Sequence, residues 1–410
     1  MSTLSCRFCR APLEQTFCDL GMSPLSNAFL TADQLGAKEP LYPLHAYVCG
    51  SCFLVQLQEF QTPQQIFGEY AYFSSYSDSW LAHCKTYASM AMERFRLGAG
   101  SRVVEIASND GYLLQYFRDA GIPVLGIEPA RNVAAAAEQK GIPTVSEFFG
   151  GALAARLAAE GCQADLVIAN NVLAHVPDLN DFVNGINKLL KHNGSATLEF
   201  PHLLELIEHG EFDTIYHEHF SYFSLLSAEK VLAAHRLAVF DVESLPTHGG
   251  SLRVYCGHAG CADRAASKNV IALRERERKA GLHTLAAYSN FSQKAKRAKE
   301  KLLAFLVDAK KQGLTVAGYG APAKGNTLLN YCAICADLLE YTVDRSPYKQ
   351  GRFLPGTHIP IHAPERIMQT RPDYVLILPW NLKEEIVSQM GAIREWGGRF
   401  VVPIPELTVL

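Results

Sequence analysis

The chain has 410 residues, enough for two or three domains at roughly 150 residues each. With 48% hydrophobic and 19% charged residues it has material for several packed cores, which excludes a disordered or fibrous chain. Thirty-eight basic residues against 41 acidic ones leave a net charge of -3, too balanced for a protein whose main partner is nucleic acid, and no apolar run reaches the roughly 18 residues of a membrane span.

The opening MSTLSCRFCR lacks the apolar stretch of a secretory signal, so the chain is expected in the cytoplasm with its 11 cysteines reduced. Ordered cysteine spacing then points to metal. Cys6 with Cys9, and Cys49 with Cys52, form two CxxC knuckles that supply the four thiolates of a tetrahedral structural zinc. The 39 residues between the knuckles exceed a zinc-ribbon gap and predict an irregular insertion holding Pro24, Asn27 and Pro40. Four thiolates leave no open position for substrate, so no water-activating role follows. This zinc-binding unit is expected over residues 1–70. In the aromatic, serine-rich segment after it, Tyr70, Tyr72 and Tyr76 either cap a pocket or pack the zinc unit onto its neighbour.

From Val103 the sequence VVEIASNDGYLL predicts a buried strand, a small-residue loop closed by Gly111, and a helix beginning at Tyr112 and Leu113. The next strand, VLGIEPA, ends at Glu128, where a carboxylate can accept from both hydroxyls of a ribose. A third strand ends at Asn170 and Asn171, facing the same crevice. Asn109 and Asp110 stand where a pyrophosphate needs bare backbone and no negative charge, so a ligand carrying an amino acid and a sulfonium fits this module better than a dinucleotide.

The segment DTIYHEHFSYF then places Tyr216, His217, Glu218, His219 and Tyr222 within seven residues. His217 and His219 are two apart rather than the four that one helical face requires, which speaks against a protease-like metal pair. A proton-transfer site is favoured over a satisfied buried network, with Asn171 and His175 as further lining. Residues 261–312 read as a helical connector. Leu302, Phe305 and Leu306 mark its apolar face, and the alternating signs of RERERK predict local ion pairs rather than a nucleic-acid surface.

A second strand-loop-helix unit, VAGYGAPAKGN, opens the last segment, residues 313–410, and its next strand ends at Asp344. Gly318 and Gly320 permit close backbone approach and Lys324 can pair with a phosphate, although a tight turn explains a lone GxG equally. The two units share one layout, as a duplicated α/β module would. Cys332 and Cys335 repeat the CxxC spacing in an apolar helical stretch and are expected in the core, as are Cys18, Cys84, Cys162, Cys256 and Cys261.

The paired CxxC, EYAYFSS, EIASNDG, GIEPA, NNVLAHVPD, YHEHFSYFS, HGGSLR and GYGAPAKGNTLLN, in this order, resemble the sugar C-methyltransferases of deoxysugar biosynthesis. The resemblance implies an α/β protein in which an N-terminal zinc-binding domain precedes two Rossmann-like doubly wound α/β domains. It implies S-adenosylmethionine in residues 71–260, held by Tyr72, Glu105, Ala107, Ser108, Asn109, Gly111, Tyr112, Glu128, Pro129 and Asn170. A nucleotide-linked 4-keto deoxysugar, expected to be a dTDP sugar, would be held by Gly318, Gly320, Ala321, Lys324 and Asp344. His219 would be the base, with Tyr216, Glu218, His175, Asn171 and Tyr70 around the reacting carbon. Two other readings stay open from the residues themselves: a nicotinamide-dependent sugar dehydrogenase or reductase using the Gly318 loop, and a zinc-ribbon nucleic-acid binder.

Overall fold

The computed structural model describes residues 4–62, 64, 75, 78–261 and 264–410, so Tyr70, Tyr72 and Tyr76 lie outside the described residues. Three sheets organise it, with strands numbered in chain order. The first is antiparallel, ordered β1 (Gln15–Ser23), β2 (Tyr42–Val48), β3 (Val55–Leu57), β9 (Ser221–Tyr222). Two matching knuckles flank it. In each, the first cysteine's carbonyl accepts at 3.0 Å from the residue after the second cysteine, Arg10 or Phe53, and both of those residues are left-handed. The four sulfurs lie within 4.8 Å of one another, with Cys9 and Cys49 3.4 Å apart and Cys6 and Cys52 3.6 Å apart.

The second sheet has seven strands, in the order β10 (Leu237–Leu245), β11 (Ser251–His258), β8 (Leu190–Pro201), β7 (Ala164–Asn170), β4 (Val103–Ile106), β5 (Val124–Ile127), β6 (Thr144–Val145). Strands β4 to β8 are parallel, and β11 and β10 close the edge as an antiparallel hairpin. Central strands covered on both faces must be apolar along their length, which is why VVEI and DLVIA read as continuous runs. Strand order reverses between β4 and β7, and a crevice opens outside their carboxyl ends.

The third sheet repeats the scheme as β14 (Ile361–His362), β13 (Thr342–Val343), β12 (Val316–Tyr319), β15 (Tyr374–Ile377), β16 (Arg399–Val402), with β17 (Thr408–Val409) antiparallel at the edge. The protein is thus an α/β fold with a zinc-type unit and two doubly wound sheets. The first helix of the second sheet begins at Leu114, two residues past its expected start. Among the described residues no helix is long and apolar enough to cross a membrane.

The first sheet is wedged between the other two. Its β3 pairs with β9, which the chain supplies between β8 and β10 of the second sheet, and Phe17 on β1 stacks at 4.5 Å on Phe291 of the long helix Phe291–Lys311. That helix buries Leu302 and Leu306, the expected apolar face. The RERERK ions behave differently from expectation, because successive residues on a helix point apart and cannot pair with one another. Arg274 instead meets Glu229 at 2.6 Å and Arg276 meets Glu205 and Glu208, all on other helices. Glu277 is fully buried; it accepts from the backbone N–H groups of Leu225 and Leu226 at 2.6 and 2.8 Å, capping the helix Leu225–Ala234, and contacts His202 Nε2 at 2.7 Å. Of the remaining cysteines, Cys18, Cys84, Cys256 and Cys332 are buried as expected, Cys162 and Cys261 only partly so, and Cys335 is exposed, because the helix carrying Cys332 ends there.

Candidate active site

The loop leaving β4 alternates handedness, with Ala107, Asn109 and Gly111 at φ 55, 47 and 76. At Gly111 a Cβ would sit 2.8 Å from Ile142 Cγ1, so contact as well as conformation requires glycine. The Glu128 carboxylate closes the loop, accepting from Asn109 N at 3.0 Å and Ala130 N at 2.9 Å. Burial pushes Glu105 well above the usual carboxylate range, and the charges of Glu128 and Asp110 add to the push. Ser108 Oγ, Asp110 Oδ1 and Asn170 Oδ1 are buried acceptors with no hydrogen-bond partner among the described residues. Beside Pro129 a cleft of about 470 Å³ runs along Arg131, Asn132, Ser146 and Phe148. Such a crevice, lined by unpartnered acceptors, suits a ligand that brings donors and positive charge. Tyr112 is buried at its inner wall, 6.2 Å from the Trp80 ring.

The histidine cluster meets the second sheet through His175, in the turn that follows β7. His219 Nδ1 contacts Thr214 O at 3.0 Å. A carbonyl only accepts, so Nδ1 carries the proton and the lone pair sits on Nε2, 2.8 Å from the Tyr216 hydroxyl. His175 stands edge-on to His219 with ring centroids 4.7 Å apart, and Phe220 N donates to Ala174 O at 2.7 Å, tying the two turns together. Asn171, left-handed at φ 54, donates its backbone N–H to Glu199 O at 2.7 Å. Glu218 Oε1 accepts from Asn27 Nδ2 at 2.6 Å. His217 points elsewhere, its Nε2 3.3 Å from Pro43 O in the first sheet.

Burial sets the protonation of the cluster. It holds His219 well below the ordinary 6.5, helped by His175, His248 and Lys324, and pushes His175 down to about 4. Glu218 moves the other way, up to about 7, chiefly by burial and against the Asn27 bond. An unfolded glutamate releases its proton near 4.5, so from there to about 7 the native state binds more protons and the stability contributed by this group falls as pH rises. In thermal melts between about pH 5 and about pH 8, Glu218→Gln is therefore expected to gain on the wild type, by on the order of 3 kcal/mol at the upper end. Parallel pH curves for the two proteins would show that Glu218 holds no such proton.

In the third sheet, Asp344 Oδ2 accepts from Ala321 N at 2.8 Å, the counterpart of the Glu128 contact with Asn109. What approaches its glycines is the protein itself: a Cβ on Gly318 would meet Thr342 Oγ1 at 2.7 Å, and one on Gly320, at φ 88, would meet Pro379 Cδ at 2.5 Å. Lys324 turns inward, with Nζ 2.9 Å from Asn381 Oδ1.

Residues 246–405 match the C-methyltransferase C-terminal domain, residues 6–67 a zinc binding domain and residues 81–241 a methyltransferase domain. The C-methyltransferase NovU of Streptomyces niveus is 36% identical over 405 residues, 99% of this chain and 96% of that protein. The chain belongs to the C-methyltransferase family. Solved structures similar to part of this methyltransferase include ChlM, the magnesium protoporphyrin IX methyltransferase of Synechocystis PCC 6803 with bound SAH, at 15% identity, TM-score 0.35, and 44% of this chain against 83% of that one. Another is the CcbJ methyltransferase of Streptomyces caelestis, at 13% identity, TM-score 0.35, and 43% against 90%.

Two groups fit the residues of this C-methyltransferase. Zinc fits the four sulfurs, since Zn–S bonds of about 2.3 Å give a tetrahedron with edges near about 3.8 Å. Gln56 Nε2, 3.2 Å from Cys6 Sγ, and the backbone N–H groups of Ser51 and Cys52 near Cys49 Sγ supply the donors that thiolates need. S-adenosylmethionine fits the acceptor-lined crevice through its positive sulfonium and ammonium.

Three residues of the C-methyltransferase site escaped assignment from sequence. His248, left-handed at φ 57 and pushed down to about 4 by burial, lies 3.3 Å by Nε2 from Asn171 Nδ2, with its ring 5.7 Å from Trp80. The histidine ahead of the two glycines in HGGSLR was its only signal. Asn27 reaches Glu218 from the insertion between the knuckles, and Asp213 is buried against Trp380; neither has a local pattern that marks it.

Proposed function

We propose that this C-methyltransferase methylates C-3 of a 4-keto deoxysugar linked to a nucleoside diphosphate, with thymidine as the nucleoside. The observation that carries the reading is the neutral His219, its Nε2 lone pair beside Tyr216 at the edge of a crevice suited to a sulfonium. A C-4 ketone acidifies the C-3 hydrogen because the resulting anion delocalises onto oxygen. His219 Nε2 takes that proton once substrate displaces the Tyr216 hydroxyl, which is then free to donate to the sugar. Glu218, His175 and Asn171 hold the reacting ring, and Tyr70 is proposed beside them. The bound methyl donor supplies an electrophilic sulfonium methyl. Glu105, Ala107, Ser108, Asn109, Gly111, Tyr112, Glu128, Pro129 and Asn170, with Tyr72, would hold it, so the chain's main contribution would be alignment. Gly318, Gly320, Ala321, Lys324 and Asp344 border the nucleotide sugar.

The proposed units are residues 1–70, 71–260, 261–312 and 313–410, working in the cytoplasm, where the zinc thiolates stay reduced. Incubation with methyl-labelled S-adenosylmethionine and a panel of thymidine diphosphate 4-keto sugars is expected to yield one product labelled at C-3. Label at an oxygen, or none with any sugar while NADPH is consumed, would replace this reading by another.

A further inference from the structure

Lys324 lies in the first turn of the helix Ala323–Cys332, which follows β12. Its ammonium donates to Asn381 Oδ1 at 2.9 Å and sits 4.4 Å from the centroid of the Trp380 ring. Among the described residues it enters none of the ion pairs, although burial acts against its charged form. The charges that offset this penalty, Asp213 and Glu211, act from the turn around Phe212–Thr214. Asp213 Oδ2 accepts from Trp380 Nε1 at 2.7 Å, and the carbonyl of the next residue, Thr214, holds Nδ1 of His219. One short segment thus carries the base on one side and balances the ammonium on the other. The field of Lys324 reaches both His219 and His248, helping to hold them below the ordinary histidine range.

These surroundings suit one transient negative charge better than a diphosphate. The loop N–H of Ala321 is already taken by Asp344, and Lys349 is turned to Ala321 O at 2.9 Å. Of the two carboxyls behind Lys324, burial pushes Glu211 up to about 8 and Asp213 only to about 6, so at neutral pH Asp213 carries the charge that would repel a permanent anion. A base weakened by burial also needs a partner, since a carbon acid yields its proton to such a base only if the product anion is stabilised as it forms.

We propose that Lys324 is the electrophilic catalyst, its ammonium donating to the C-4 oxygen as His219 removes the C-3 proton. The C-3–H bond breaks, its electron pair becomes the C-3–C-4 π bond, and the carbonyl π pair moves onto oxygen, where Lys324 meets it without giving up its proton. The pair returns to form the bond to the incoming methyl, whose S–C bond breaks to leave a neutral thioether. The assignment rests on the C-3 methylation proposed above.

The test compares wild type and Lys324→Gln in three measurements: affinity for thymidine diphosphate alone, exchange of the C-3 proton into D2O at saturating 4-keto sugar without methyl donor, and methyl transfer. Exchange and turnover are expected to fall together by about 10²- to 10³-fold, with diphosphate affinity within about threefold of wild type. A tenfold or greater loss of diphosphate affinity with exchange at saturation unchanged would make Lys324 a phosphate ligand and overturn the proposal. Should the Gln variant not fold, Lys324→Arg carries the same comparison: it keeps a good phosphate partner but misplaces the charge, so slowed exchange with intact diphosphate affinity supports the role and unchanged exchange overturns it. Absence of exchange in the wild type would instead remove the C-3 chemistry itself.

Discussion

Replacing His219 by Asn is expected to stop both exchange of the C-3 proton and methyl transfer, by about 10²- to 10⁴-fold, while S-adenosylmethionine binds as before. The substitution is conservative for the fold. Asn can keep the hydrogen bond to Thr214 O that Nδ1 makes now, but it offers no basic lone pair where Nε2 lies. Binding of the methyl donor should not follow the loss, because its proposed ligands sit on the loops after β4, β5 and β7, whereas His219 precedes β9 in another sheet. Proton exchange followed by NMR, turnover with labelled donor, and calorimetry of donor binding separate the three quantities. Normal exchange in the variant would transfer the base to another group.

Stripping the zinc is expected to have an effect as large, but on stability first. Structural zinc in cysteine sites contributes about 10–16 kcal/mol of apparent binding energy to folding at neutral pH. Without the ion, thiols packed 3.4 and 3.6 Å apart in pairs must protonate or separate. The damage should reach the base by two routes. Strand β3 follows the second knuckle, pairs Val55 with Tyr222, and donates Leu57 N to Phe220 O at 3.0 Å, one residue from His219. The insertion between the knuckles carries Asn27 to Glu218. Exhaustive chelation or Cys49→Ser should therefore lower the melting temperature and cut methyl transfer, the more so because Cys6, Cys49 and Cys52 share the hydrophobic core of the second sheet. Metal content, melting and turnover measured on one sample decide it. A zinc-free protein that melts and turns over like the parent would leave the four sulfurs without this role.

The sequence by itself determined the local units. Two CxxC pairs with four thiolates required a metal knuckle whatever surrounded them. Apolar runs ending in Glu128, Asn170 and Asp344 required buried strands with polar ends, because a strand covered on both faces has no other place for charge. The chain could be placed in its family from the motifs and their order alone, and the match across 99% of its length agrees.

Tertiary structure decided what those units face. Nothing local connects Asn27 with Glu218 across 191 positions, or Trp380 with Asp213 across 167. The charge run around Glu277 reads as local ion pairs until its carboxylate is seen capping a helix that begins at Leu225. Lys324 reads as a phosphate partner after a glycine turn, yet the turn closes on Pro379 and aims the ammonium inward. The physical reason is the same in each case. Periodicity and spacing report what a segment does within a few turns of itself, whereas burial of a polar group is settled by which distant surface removes its water, and here that surface is a small sheet wedged between two larger ones.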